Sequence, residues 1–81
     1  MTGFDLPGTL RRIRRLADRS QRELAVELEL SKSAIAAAES GRRDLPVSAL
    51  ARAAALAGLR LALLDADGAE VAGMAPDAVR D

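Results

Sequence analysis

The segment from Ser20 to Gly41 constrains the fold more than any other part of the chain, because it contains two helix starts within 22 residues. Ser20 followed by Glu23 is the pattern of a capping box, in which the two side chains satisfy free backbone groups at a helix N-terminus. Ser31 can cap a second helix, and Gly41 can adopt the positive φ that ends it. The segment therefore predicts a helix, a short turn and a second helix.

Apolar residues recur at helical spacing inside this segment and predict helices over about 21–28 and 32–39. Ala25 lies where a neighbouring helix must cross closely, since a large side chain there would force the two helices apart. Leu30, in the connection, should turn inward. Two helices that are joined by a turn of three or four residues and cross at a steep angle form a helix-turn-helix unit.

One helix is predicted on each side of this unit, and an extended segment follows. The first should begin near Pro7 and end at about residue 17 or 18, and the last should span about 47–57. From residue 59 the apolar period changes to two, which predicts a strand over 59–65, and the Asp67-Gly68 pair predicts a turn into a brief return strand. The expected fold class is mainly α, with four helices and a short C-terminal strand or hairpin.

The first helix should place its apolar side chains in one arc of about 120° and its arginines on the other side. The apolar set consists of Leu6, Leu10, Ile13, Leu16 and Ala17. The arginine face has two interpretations that the sequence leaves open: a solvated surface, or a contact with phosphates or a partner.

Composition removes several classes of function. The chain has no cysteine and no histidine, so thiolate chemistry, disulfides, imidazole bases and the usual zinc sites are excluded, and we expect no enzyme activity, metal or cofactor. The sequence DADGAE resembles the start of a calcium loop but lacks the full twelve-residue spacing, so a hairpin turn is the preferred interpretation. No apolar run could span a bilayer and no signal peptide is evident, so we expect a cytoplasmic, nucleoid-associated protein.

Charge is unevenly distributed along a chain whose net charge is zero. Residues 1–50 hold nine basic and seven acidic residues, a net charge of +2, whereas the last 31 residues hold three arginines and five acids. One end of the molecule is therefore suited to a polyanion. Since Phe4 is the only aromatic residue, stacking on single-stranded bases is disfavoured and double-stranded DNA is the expected ligand.

Residues 10–59 resemble the Cro and phage-repressor type of helix-turn-helix domain, often called XRE-like. The resemblance implies a lambda-repressor-like DNA-binding domain over residues 1–58, with the second helix of the unit in the major groove. Glu29 departs from the glycine usual in the turn, which costs about 1 kcal/mol if the backbone there needs positive φ. The residues that carry the pattern are Gln21, Leu24, Ala25, Leu28, Leu30, Ser31, Ile35, Glu39, Gly41, Pro46, Leu50 and Leu56.

The DNA contacts implied by this resemblance fall into two groups. The group expected to face base edges, with its alanines turned outward for apolar contact, is Lys32, Ser33, Ala36 and Ala37. The group expected at phosphates or in the minor groove is Gln21, Ser31, Arg42 and Arg43. Two alternatives stay open: a purely capping role for the serine of the second group, and a solvated loop for its two arginines.

The order of helix, glycine and LRLALLDA resembles HipB-type antitoxins, in which a strand pairs with the same strand of a twofold partner. This resemblance implies a homodimer formed through residues 59–72, followed by a loose tail over 73–81. The expected interface residues are Leu59, Leu61, Leu63 and Leu64.

Two classes of function are consistent with these features. The first is a dimeric transcriptional regulator, most simply a repressor, with two recognition helices in successive major grooves about 34 Å apart. Within this class the protein could instead be an autorepressing antitoxin that binds a cognate toxin. The second class is a protein–protein interaction module that keeps the scaffold without specific DNA reading, which the alanine-rich second helix of the unit and the zero net charge favour.

Overall fold

The computed structural model describes residues 3–76, which form four helices followed by a two-stranded antiparallel hairpin. The mainly α fold is therefore confirmed, and the bounds of the two central helices are those predicted. The strand is shorter than predicted, since only two residues of the segment 59–65 pair with the return strand. The elements are α1 (Leu6–Leu16), α2 (Gln21–Leu28), α3 (Lys32–Glu39), α4 (Val47–Leu56), β1 (Leu63–Leu64) and β2 (Glu70–Val71).

Side-chain caps fix where α2 and α3 begin. The Glu23 backbone N–H donates to Ser20 Oγ at 3.0 Å, and the Ser20 N–H donates to Glu23 Oε1 at 2.8 Å, which completes the capping box. The bond from the Ser20 backbone lowers the pKa of Glu23, because it favours the ionised carboxylate. At α3, Ser31 Oγ accepts from the Ala34 N–H at 3.0 Å. Both predicted helix starts are thus confirmed.

All four helices are followed by a residue in the left-handed region, at Asp18, Glu29, Gly41 and Gly58. At the end of α2, the N–H of Glu29 donates to Val26 O at 3.2 Å, and the next N–H, from Leu30, donates to Ala25 O at 2.9 Å. This pair of bonds is the Schellman motif, which satisfies the last carbonyls of a helix. The turn therefore keeps positive φ at Glu29, with φ 57°, although the residue is not glycine.

The core lies between the helices, and its largest fully buried side chains are Leu10, Leu24, Leu28 and Ile35. Ala25 is buried at the crossing of α2, as predicted, and Leu30 packs partly buried against the core. The prediction that Leu16 faces the core is wrong, since its side chain is 56% exposed. Leu16 lies at the edge of the apolar arc, in the last turn of α1.

A buried carboxylate joins three helices. Glu39, at the end of α3, is 5% exposed and accepts from Arg14 Nε at 2.6 Å and Nη2 at 3.1 Å, and from Gln21 Nε2 at 3.1 Å. The hydrogen bond from Arg14 to Glu39 also raises the pKa of the guanidinium. The prediction that all four α1 arginines lie on the outer face is therefore wrong for Arg14, which borders the apolar arc and reaches α3.

The hairpin pairs Leu63 with Val71 and Leu64 with Glu70. Asp65 organises the turn, because its Oδ1 accepts from the N–H groups of residues 67 and 69 at 2.9 and 3.0 Å. This segment therefore forms the hairpin turn that we preferred over a calcium loop. Arg60 binds the Glu70 carboxylate through two bonds of 2.8 and 2.6 Å, which lowers the pKa of Glu70.

Residues 58–76 are all exposed. The hairpin therefore buries no side chain against the helices. Of the tail predicted over 73–81, residues 77–81 lie outside the described residues. No helix within residues 3–76 is long and apolar enough to cross a membrane.

The ion pair at Glu39 predicts a large loss of stability on removal of its partner. Arg14→Leu should lower the free energy of unfolding in urea by about 3 kcal/mol, because the buried carboxylate then loses two charged hydrogen bonds. The matched control is Arg15→Leu, since Arg15 is the exposed neighbour on the same helix and should change stability by less than about 0.5 kcal/mol. Equal losses in the two variants would contradict this role for Arg14.

The left-handed residue after α2 predicts a gain in stability. Glu29→Gly should raise the free energy of unfolding by about 0.5–1 kcal/mol, because glycine has no Cβ to crowd the backbone at positive φ. Glu29→Ala is the control, as it removes the charge and keeps the Cβ. If alanine stabilises the protein as much as glycine, the backbone conformation is not the cause.

Candidate nucleic-acid interface

The outward face of α3 carries few hydrogen-bonding groups. Lys32 and Ser33 are exposed and Ala36 is partly exposed, so these three predicted base-edge residues share one face of the helix. Ala37 does not join them, because it is only 7% exposed, and the prediction that it turns outward is wrong. The helix packs against both α1 and α2, so its buried arc is wider than that of a helix with one neighbour.

Ser40, which follows α3, is an exposed polar residue that the sequence reasoning missed. It lies seven residues after Ser33 and four after Ala36, so the helical period could have placed it on the same face. Its hydroxyl donates to Ala37 O at 3.1 Å and accepts from Arg42 Nε at 3.0 Å. Ser40 therefore holds the Arg42 guanidinium against the end of α3.

Gln21 and Ser31, predicted at phosphates, stand at the starts of α2 and α3. The Gln21 amide is partly buried and donates to Glu39, so it is held beside α3. Ser31 Oγ accepts the capping bond from Ala34, which confirms the capping interpretation. The hydroxyl hydrogen of Ser31 is not used by that bond, since a serine hydroxyl can donate and accept at once. Capping and phosphate contact are therefore chemically compatible.

The loop from residue 40 to 46 carries two exposed arginines, Arg42 and Arg43. Leu45 is buried and anchors the loop in the core. Gly41 has φ 81°, and a Cβ built on it would lie 3.5 Å from Cγ of Pro7, so the loop passes close to the start of α1. Both arginines are thus presented by a loop that is fixed at several points.

The basic side chains of α3 and its loop form no ion pairs in the part of the chain that the structure describes. Within residues 3–76, no salt bridge involves Lys32, Arg42 or Arg43. The three ion pairs of that part of the chain are Arg14–Glu39, Arg19–Glu27 and Arg60–Glu70. A polyanion could therefore approach the end of α3 and its loop without first displacing an ion pair.

The predicted dimer residues lie apart from this surface, on the hairpin and the segment before it. Leu59, Leu61, Leu63 and Leu64 are all exposed large apolar side chains. Val71 and Met74 add to the same exposed apolar region. Exposed apolar side chains of this size are the feature on which the dimer prediction rests.

Comparison with known proteins agrees with this geometry. The family described as Helix-turn-helix domain matches residues 5–73, a range that begins at the N-cap of α1 and includes all four helices and the hairpin. No curated protein and no solved structure shows a significant match to the chain. The protein belongs to the helix-turn-helix domain family.

Proposed function

We propose that the protein is a homodimeric transcriptional regulator, of the XRE-like type, that binds a specific site in double-stranded DNA in the cytoplasm and acts as a repressor. The observation that carries the proposal is the surface formed by α3 and its following loop. Lys32 and Ser33 are exposed on the helix, and Arg42 and Arg43 are exposed in the loop without a salt bridge to any carboxylate of residues 3–76. The Glu39 hydrogen bonds join α1 and α2 to α3, so they fix how α3 is packed beneath this surface.

In this proposal α3 enters the major groove with its N-terminal half toward the bases. Lys32 donates to guanine O6 or N7, and Ser33 can donate or accept at a base edge. The methyl group of Ala36 offers only apolar contact with a thymine methyl. Ala37 is too buried to reach a base. Direct reading therefore rests on two polar residues, and base specificity through α3 is modest.

Phosphate contacts supply most of the affinity in this proposal. Arg42 and Arg43 bind the DNA backbone from the loop, while Gln21 and Ser31 do so from the starts of α2 and α3. Each cation that neutralises a phosphate releases counterions, so binding weakens as salt rises. If a dimer neutralises about eight phosphates, log K falls against log salt with a slope of about −7.

The hairpin supplies the dimer contact in this proposal, as in the HipB-type arrangement. A lone two-stranded hairpin is marginally stable in water, and this one leaves Leu63 69% exposed. Within residues 3–76 only one edge of β1 is paired, and in this proposal its other edge pairs with β1 of a second copy. A twofold axis centred on Ala62 would place Leu61 of one copy opposite Leu63 of the other. The two apolar side chains would then bury each other.

An antitoxin is a second form of the same proposal, supported only by the resemblance of the C-terminal segment. It predicts co-purification of the product of a neighbouring gene.

An interaction module without specific DNA reading is the alternative, and the alanines at 34, 36 and 37 of α3 favour it. DNA binding by the purified protein decides between the module and the regulator.

We expect the wild type to shift a duplex from upstream of its own gene, with a strongly salt-dependent affinity. Lys32→Ala should reduce discrimination between specific and random duplexes by about 1–3 kcal/mol, because it removes a base-edge donor. Arg43→Ala should weaken both duplexes alike and reduce the salt slope by about 0.9 per phosphate lost. Gel-shift titrations between low and moderate salt measure both effects.

The matched control for these variants is Arg12→Ala, which removes an exposed arginine of α1 and leaves α3 and its loop unchanged. Its affinity and salt slope should equal those of the wild type. A wild type that binds no duplex, or that binds with no dependence on salt, would contradict the proposed function and favour the interaction module.

We expect a dimer at micromolar concentration, measured by sedimentation velocity. Leu63→Lys should raise the dimer dissociation constant at least about tenfold, because burying an unpaired ammonium in the interface costs more than 1.4 kcal/mol. Val26→Lys is the control, since Val26 on α2 is equally exposed, at 72%, and lies outside the hairpin. A wild-type monomer at that concentration would rule out the hairpin dimer.

A further inference from the structure

Two arginines from different elements meet at the C-terminal end of α3. Arg11, on α1, donates from Nη1 to the backbone carbonyl of Glu39. Arg42, in the loop, donates from Nε to Ser40 Oγ at 3.0 Å. Since Glu39 and Ser40 are consecutive residues, with Cα atoms about 3.8 Å apart, both guanidinium groups are anchored at one turn of the chain.

Both guanidinium groups keep most of their hydrogen-bonding capacity. A guanidinium has five N–H donors. The hydrogen bonds described above use one donor of Arg11 and one donor of Arg42. Neither Arg11 nor Arg42 forms a salt bridge with a carboxylate of residues 3–76. The carboxylate of Glu39 does not neutralise them, because its oxygens bind Arg14 and Gln21. Within the described residues, two neighbouring cations therefore remain without a salt-bridge partner.

The position of this pair fits the DNA backbone. With 1.5 Å of rise per residue, α3 is about 12 Å long, close to the width of the major groove. When the N-terminal half of α3 lies at the base edges, its C-terminal end lies near the phosphates that line the groove. Successive phosphates of one strand offer a row of negative charges at that edge.

We propose that Arg11 is a further DNA-binding residue, which binds a backbone phosphate next to the one bound by Arg42. The inference rests on the proposed function, because it requires α3 in the major groove. It assigns a DNA contact to α1, outside the helix-turn-helix unit and its following loop. The bond to Glu39 fixes the direction of the Arg11 side chain before DNA arrives, so little side-chain entropy is lost on binding.

The first test compares salt dependence among matched variants, by fluorescence anisotropy with a labelled operator duplex. Arg11→Gln should reduce the magnitude of the salt slope by about 1.8 for a dimer, because each protomer loses one phosphate. Arg11→Lys, which keeps the charge, should retain the wild-type slope. Arg12→Gln is the control, because Arg12 points about 100° away around α1, and its slope should equal that of the wild type.

The second test leaves Arg11 in place, so it holds even if Arg11→Gln folds poorly. Duplexes with one neutral methylphosphonate at each backbone position are titrated in turn, and the titration is repeated with a variant that carries Arg42→Gln and Arg43→Gln. The wild type should lose affinity at neighbouring positions at the edge of each half-site, and the variant, which keeps Arg11, should stay sensitive at one of them. Loss of all sensitivity there in the variant would overturn the role of Arg11.

The outcomes separate this inference from the proposed function. If the wild type binds DNA and Arg42→Gln lowers the salt slope while Arg11→Gln does not, Arg11 is not a phosphate contact and the regulator proposal stands. If the wild type shows no salt-dependent binding at all, the proposed function itself fails.

Discussion

The buried carboxylate of Glu39 is the interaction on which the arrangement of the helices depends. It binds α1 through Arg14 and α2 through Gln21, while its own backbone carbonyl accepts from Arg11. A carboxylate that is almost fully desolvated is stable only when its oxygens are well paired, so any rotation of α3 that broke these bonds would be costly. Glu39 therefore fixes the orientation in which α3 is presented to solvent.

The same packing limits what α3 can read. Because α3 packs against two helices, four of its eight residues, Ile35 and Ala37 to Glu39, are buried. The other four are Lys32, Ser33 and two partly exposed alanines, Ala34 and Ala36. Alanine allows close helix packing and gives no donor to a base edge. Selection of a binding site in the proposed regulator then depends on phosphate contacts, on DNA shape and on the distance between two half-sites.

Local signals in the sequence were sufficient for the central helices and insufficient for contacts between elements. Ser20, Glu23 and Ser31 determine helix starts through bonds within three residues, so the bounds of α2 and α3 followed from the sequence. Ala37 and Arg14 were misplaced because helical periodicity defines faces without saying how many neighbours a helix has. The pairing of Arg14 with Glu39 spans 25 residues, and no local pattern encodes it.

The hairpin shows a different limit, because its predicted strand covered 59–65 and only Leu63 and Leu64 pair within one chain. Alternation of apolar residues indicates that one face of a strand is suited to burial, and it does not identify the partner strand. In a single chain the return strand is two residues long, so residues 59–62 have no strand to pair with. In the proposed dimer the open edge of β1 would pair with a second copy, and the full alternating segment would then become a strand.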